Sequence, residues 1–227
     1  MKGGPAMRSI AIRHGVDAQG GFRDRQIRIE GGMMAAIEPA TETVEDVVAI
    51  PALANAHDHA RPLRTSSIGG FGKPLEIWLH RLALMVPVDP YLAALAPLAR
   101  AALGGQGAVM VHAVRAMGLT DLPTEAGEIA RAARDVGVRM ALGIGMRDQN
   151  PLVYGQHDAV LAALAPAERA ATEARFLSPP ASIRDQLAGV DAVAAAVAGP
   201  MVDVQYGPNG PQWCSEPMWR AIAEASA

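Results

Sequence analysis

The residues with most chemical potential in this chain are two histidines, His57 and His59, separated by one aspartate. On an extended segment, residues i and i+2 point to the same side. Two imidazoles so placed can reach one metal ion. They follow the apolar run Ala52-Leu-Ala-Asn-Ala56, which reads as a buried strand. The pair therefore stands at the C-terminal end of a strand, where α/β folds place their active sites. A chance His-x-His in a chain with six histidines is the plain alternative.

Several other residues could join them. His112 ends a second apolar run, Ala108-Val-Met-Val-His112, on the same side of the expected sheet. It is either a support for the metal pair or a histidine satisfied inside the core. Trp78, in Leu75-Glu-Ile-Trp-Leu79, is either a platform for a planar substrate or a core residue at helical spacing. Arg61 and Arg64 lie just past the histidine pair and could meet an anionic substrate group, or line a solvated loop. Cys214, the single cysteine, excludes an intrachain disulfide and any cysteine-based zinc knuckle, and reads as a small buried hydrophobe. Trp213 and Trp219 read as packing residues. Gly143-Ile-Gly145 lacks the third glycine of a dinucleotide fingerprint.

The elements that must position these residues follow from periodicity. Residues 1–50 read as short strands separated by glycine pairs: Ser9–Ile12, Gln26–Glu30, Met34–Ile37 and Val47–Ile50. From Pro51 onward, apolar runs near 52, 108, 138 and 202 alternate with helical patterns. Those helices are expected at 75–86, 90–103, 124–135, 156–177, 182–198 and 215–225. Alternation of this kind is the signature of βαβ units and a parallel sheet. The runs are continuous rather than alternating, which predicts a sheet covered on both faces.

Composition sets the outer limits. The chain has 227 residues, is 50% hydrophobic and 19% charged, and carries a net charge of −3. It can bury a core and is not disordered. Nothing in its charge predicts binding to nucleic acid or to an anionic membrane. No run reaches the ~18 apolar residues of a membrane span. The opening Met1-Lys-Gly-Gly-Pro-Ala-Met has no apolar signal region, so a cytoplasmic location is expected. Only Lys2 and Lys73 are lysines, while alanine is abundant, which reads as the bias of a GC-rich genome.

Two segments carry a family resemblance. Ile50-Pro-Ala-Leu-Ala-Asn-Ala-His-Asp-His59 resembles the metal-binding segment after the first barrel strand of the amidohydrolase superfamily. Gly207-Pro-Asn-Gly-Pro-Gln-Trp-Cys-Ser215, followed by Glu216, resembles the segment after the fourth barrel strand in the branch of cytosine and guanine deaminases and triazine hydrolases. The resemblance spans nearly the whole chain. It implies part of a small β-sandwich domain at 1–50 and, at 51–227, the first four βα units of a TIM-type (β/α)8 barrel, the N-terminal half of an enzyme. A complete barrel needs about 250 residues.

The resemblance also implies a function. The whole enzyme would hydrolyse a C–N bond, by deamination, on a small planar N-heterocycle with metal-activated water. His57 and His59 would hold one divalent ion, zinc before iron. Binuclear members often bridge two metals through a lysine on the fourth strand, and Met201–Tyr206 has none. The catalytic residues and remaining ligands are expected beyond Ala227. Asn209 and Gln212 stand where thioadenosine-type members carry histidine and tyrosine, a departure that argues against a nucleoside. Their carboxamides could donate to and accept from a heterocycle, or simply shape the strand exit. Three alternatives stay open: a cyclic-amide hydrolase, a catalytically inactive chain or one half of an assembly, and a stand-alone α/β binding domain. Expected partners are the small substrate and either a second copy or a complementing C-terminal half.

Overall fold

A computed structural model describes residues 7–61, 65–155 and 157–227. Arg64, one of the anion candidates, lies outside the described residues. The chain divides into two compact units, 1–52 and 53–227.

The first unit holds a four-stranded sheet. Strands β1 (Arg8–Asp17), β2 (Gly20–Glu30), β3 (Met33–Pro39) and β4 (Glu45–Ala49) lie in the order β3-β2-β1-β4. β1, β2 and β3 pair antiparallel, while β4 runs parallel to β1. Gly31 and Gly32 join β2 to β3 with φ of 58° and 80°. Two successive positive φ values make the mirror-image turn that matches strand twist, and glycine adopts it without strain.

The second unit is a parallel sheet with strands in chain order: β5 (Leu53–Asp58), β6 (Gln106–Ala113), β7 (Arg139–Met146) and β8 (Val202–Pro208). Helices α1 (Leu75–Arg81) and α2 (Pro90–Leu103) lie between β5 and β6, and α3 (Leu122–Val136) between β6 and β7. Helices α4 (His157–Ala162), α5 (Pro166–Phe176) and α6 (Ile183–Val197) precede β8, and α7 (Glu216–Ala225) follows it.

Local chemistry sets the helix ends. Asp89, Asp121, Ser182 and Ser215 cap α2, α3, α6 and α7, each accepting a backbone N–H from the residue three positions on. Gly137 closes α3 in the left-handed conformation, φ 81°. Along α3, Ala126, Ile129, Ala130 and Ala133 are buried, the i, i+3, i+4, i+7 stripe of an amphipathic helix.

One expectation is corrected. The sheet is not covered on both faces. Large side chains share one face and are buried: Val109 and Val111 on β6, Met140, Leu142, Ile144 and Met146 on β7, and Val202 on β8. They pack with Ala130, Val193 and Met218 of the helices in one core. The other face carries small residues and polar ones, and Ala54, Ala56, Asp203 and Gln205 there are exposed. β7 alternates in size rather than polarity, so Ala-Leu-Gly-Ile-Gly reads as a continuous apolar run, while β8 alternates in polarity as Val-Asp-Val-Gln-Tyr. The helix expected at 156–177 is also two helices. Pro166 forces the preceding Ala165 into extended backbone, φ −62° and ψ 151°, which separates α4 from α5. The helix expected at 75–86 shortens to α1 and a 3-10 turn at Leu82–Leu84. No helix of the described residues is long and apolar enough to cross a membrane.

Candidate metal centre

His57 and His59 lie at the C-terminal end of β5, beside the end of β6. The pairing slips between Asn55 and Asp58, where Asn55 pairs with Val109 and Asp58 with Val111. This bulge, at the end of the strand, re-aims the side chains there. The ring of His57 lies 4.3 Å from that of His112 and 5.0 Å from that of His59, centroid to centroid. His59 and His112 are 6.1 Å apart. The structure thus brings together three histidines that the sequence spaces over more than fifty positions.

Their hydrogen bonds define which nitrogens are available. His59 Nδ1 lies 2.9 Å from the backbone oxygen of His112. A carbonyl only accepts, so Nδ1 carries the proton and Nε2 is left with its lone pair. A backbone carbonyl holding one ring nitrogen while the other faces outward is the usual support of a metal-ligating imidazole. His112 supplies that support through its main chain. The Ala56 backbone acts on its ring in the opposite sense to burial, raising its pKa. Burial lowers the pKa of His59 below its ordinary value, against the opposing pull of the His112 carbonyl. Burial lowers that of His112 as well, reinforced by His57 and His59. Neutral imidazole is the form that binds a metal.

Asp58, between the two histidines, faces elsewhere. Its carboxylate accepts from Asn55 Nδ2 at 3.0 Å and from the backbone N–H of Ala60 at 2.8 Å. That turn leaves Ala60 at φ 45°, a left-handed conformation uncommon outside glycine. Among the described residues, no three His, Cys, Asp or Glu side chains are grouped so as to hold a metal ion. His57 and His59 offer imidazole nitrogens of the kind divalent ions take, short of a full coordination shell among the described residues.

The opposite strands leave room around the rings. A Cβ on Gly143 would lie 3.5 Å from His112 Nδ1. A Cβ on Gly145 would lie 2.6 Å from Val114 Cα and 2.9 Å from Asn209 Oδ1. Asn209 therefore reaches across to the end of β7. Its Oδ1 is buried without a hydrogen-bond partner, while its backbone N–H donates to the Met146 oxygen at 3.0 Å.

Gln212 is exposed and its backbone oxygen receives Gln149 and Asn150. Asp148 accepts from both the N–H and the hydroxyl of Ser215, and Cys214 Sγ donates to the Met146 oxygen at 3.2 Å. The exits of β7 and β8 are joined by these bonds. Asp148 escaped the sequence reading because a lone acid in Arg-Asp-Gln-Asn carries no spacing signal. Trp213 stacks edge-on against Tyr154 at 5.1 Å, and Trp219 remains 38% exposed. Trp78, on α1, is half-buried and is not among the residues lining the cleft beside His59 and His112.

That cleft holds a second group with little signal in the local sequence. Glu125, in the first turn of α3, is only 5% exposed and accepts the N–H of Met117 at 2.7 Å. Arg61 and Arg115 line the same cleft.

No protein-family model and no curated protein sequence matches the chain. Its backbone does match solved structures. A triazine hydrolase from Arthrobacter aurescens aligns at a TM-score of 0.68 and 16% identity, over 97% of this chain and 50% of its own. An atrazine chlorohydrolase from Arthrobacter aurescens TC1, solved in complex with zinc, aligns at 0.65 and 17%, over 96% and 50%. An amidohydrolase from Brucella melitensis aligns at 0.64 and 18%, over 96% and 49%. The chain spans about half the length of the structures it matches. At these identities the likeness is one of fold. The resemblance read from residues 50–59 and 207–216 is thus met at the level of architecture: nearly all of this chain shares its fold with half of an amidohydrolase-type enzyme.

Proposed function

We propose that this chain is the metal-holding front half of an amidohydrolase whose whole form hydrolyses a C–N bond, by deamination, on a small planar N-heterocycle. The observation that carries the reading is the histidine cluster at the end of β5, with His59 Nδ1 bound to a carbonyl and Nε2 left open. The fold neighbours support the class, one being a triazine hydrolase and another a zinc-complexed chlorohydrolase.

In this reading His57 and His59 hold one divalent ion, zinc before iron. When bound, the ion supplies Lewis acidity and activates water at neutral pH. His112 steadies the pair, through its carbonyl toward His59 and through its ring against His57. Gly143 keeps the space beside the His112 ring clear of a side chain. In this reading the Asn209 carboxamide accepts from a ring N–H, which its buried and unpartnered oxygen supports. Gln212 is a weaker candidate, exposed on the rim. The remaining ligands and the proton relay come from polypeptide outside this sequence, a complementing C-terminal half. Catalytic zinc sites use at least three protein ligands, so the chain by itself binds metal weakly and does not turn over.

Competition titration with a chromogenic zinc chelator tests this. His57→Ala and His59→Ala should each weaken zinc binding at least about tenfold, and His14→Ala, in the other unit, should not change it. Equal zinc affinity in all four proteins would overturn the metal assignment. The second reading, a chain that only binds, is favoured by the absence of a third ligand among the described residues.

A further inference from the structure

We propose that the cleft beside the histidines binds a carboxylate carried by the substrate, held chiefly by Arg61 with Arg115 as the second cation. The word substrate rests on the function proposed above; binding of the anion does not. Arg61 follows Ala60, whose left-handed backbone turns the chain off the strand. Arg61 then lines the cleft together with His59, His112, Arg115 and Glu125, with Val86 and Ile129 as apolar wall. Arg61 Nη1 is buried there and has no hydrogen-bond partner. A buried charged donor left without an acceptor is costly, and an incoming anion removes that cost.

Charge in the cleft favours an anion. It contains two guanidinium groups and one carboxylate. Glu125 accepts from Met117 and acts on Arg61 from within the cleft, offsetting one of the two positive charges and not both. Arg115 is itself influenced by Arg147 and Arg175, so the positive potential extends along this rim. Shape favours a carboxylate over a phosphate. A guanidinium fork grips either anion through two oxygens, so the small cavity decides for the smaller, planar group. The cavity offers about 30 Å³, enough for a water-sized group.

The test uses the 227-residue chain in chelator, so that metal plays no part. Pyridine-3-carboxylate, its uncharged carboxamide and inorganic phosphate are titrated by calorimetry. The carboxylate should bind at least about tenfold tighter than the carboxamide, the size expected of a charge-assisted pair. Arg61→Gln should bring the two to parity. Arg61→Lys, which keeps the charge but not the fork, should restore part of the preference, and Arg115→Gln should weaken it less than Arg61→Gln. Thermal melts establish that each variant is folded. A purely structural Arg61 would move the melt and leave the acid-to-amide ratio unchanged. That outcome overturns the proposal, as does phosphate binding as tightly as carboxylate, or no carboxylate binding at millimolar concentration. Loss of zinc discrimination with this ratio intact would sink the metal reading alone; the reverse would sink this one alone.

Discussion

His59 and His112 couple the site to pH. Burial, the largest influence on both, holds their pKa values below the ordinary 6.5. In the unfolded chain both rings take a proton near pH 6.5. Between that pH and the lower folded values, the unfolded chain binds more protons, so stability falls as pH drops. Above pH 7 neither ring contributes. In chelator, Tm should be flat above pH 7 and decline from about 6.5 toward 5. His112→Gln should flatten that decline. An unchanged slope would mean the rings are solvated. The histidine pair was legible because a strand's two-residue period gives i, i+2 spacing a direct meaning. Arg61 was legible only as one of two readings, an anion contact or a solvated loop, and Glu125 was not legible at all. An acid in the first turn of α3 reads as a dipole partner exposed to water, and nothing local reveals that α3 packs it into a cleft.

At the scale of elements, two glycines make opposite predictions. Gly145 sits against backbone: an added Cβ would fall 2.6 Å from Val114 Cα and 2.8 Å from Val114 O. Gly145→Ala should destabilise by about 1–3 kcal/mol through overpacking. Gly127 lies inside α3 with nothing within 4 Å of an added Cβ. Gly127→Ala should stabilise by about 0.5–1 kcal/mol. Urea denaturation of both variants checks the pair, and shifts of the same sign would contradict this packing. Helix identity was readable here because caps and apolar stripes agree, as in Asp121 with Ala126, Ile129 and Ala133. What periodicity hid was the size alternation of β7, where Ala141, Gly143 and Gly145 face away from the core. Apolar character alone does not separate a residue that fills space from one that leaves it empty.

For the whole molecule, the parallel sheet has two terminal strands, β5 and β8, each with one neighbour in the sheet. Its second face is partly exposed at Ala54, Ala56, Asp203 and Gln205. Unpaired strand edges template pairing with other chains. The chain purified alone should therefore self-associate, or melt with low cooperativity. Light scattering across a concentration series, read with calorimetry, decides this. A monomer at all concentrations, melting cooperatively above about 65 °C, the top of the usual mesophile range, would overturn it. The number of strands in this sheet could be read from the alternation of patterns along the chain, but not their order, since the same alternation also builds sheets of other orders. The open face could not, because it depends on what else packs there.

The strand order of the parallel sheet carries one more consequence. β5, β6, β7 and β8 lie side by side in the sequence in which they are synthesised. Each strand's partner is thus the next one to leave the ribosome, and folding during translation proceeds from the N-terminus. The histidine pair, on the earliest of these strands, meets His112 after a single crossover. A nascent polypeptide could thus set these three rings in place long before its later segments are translated.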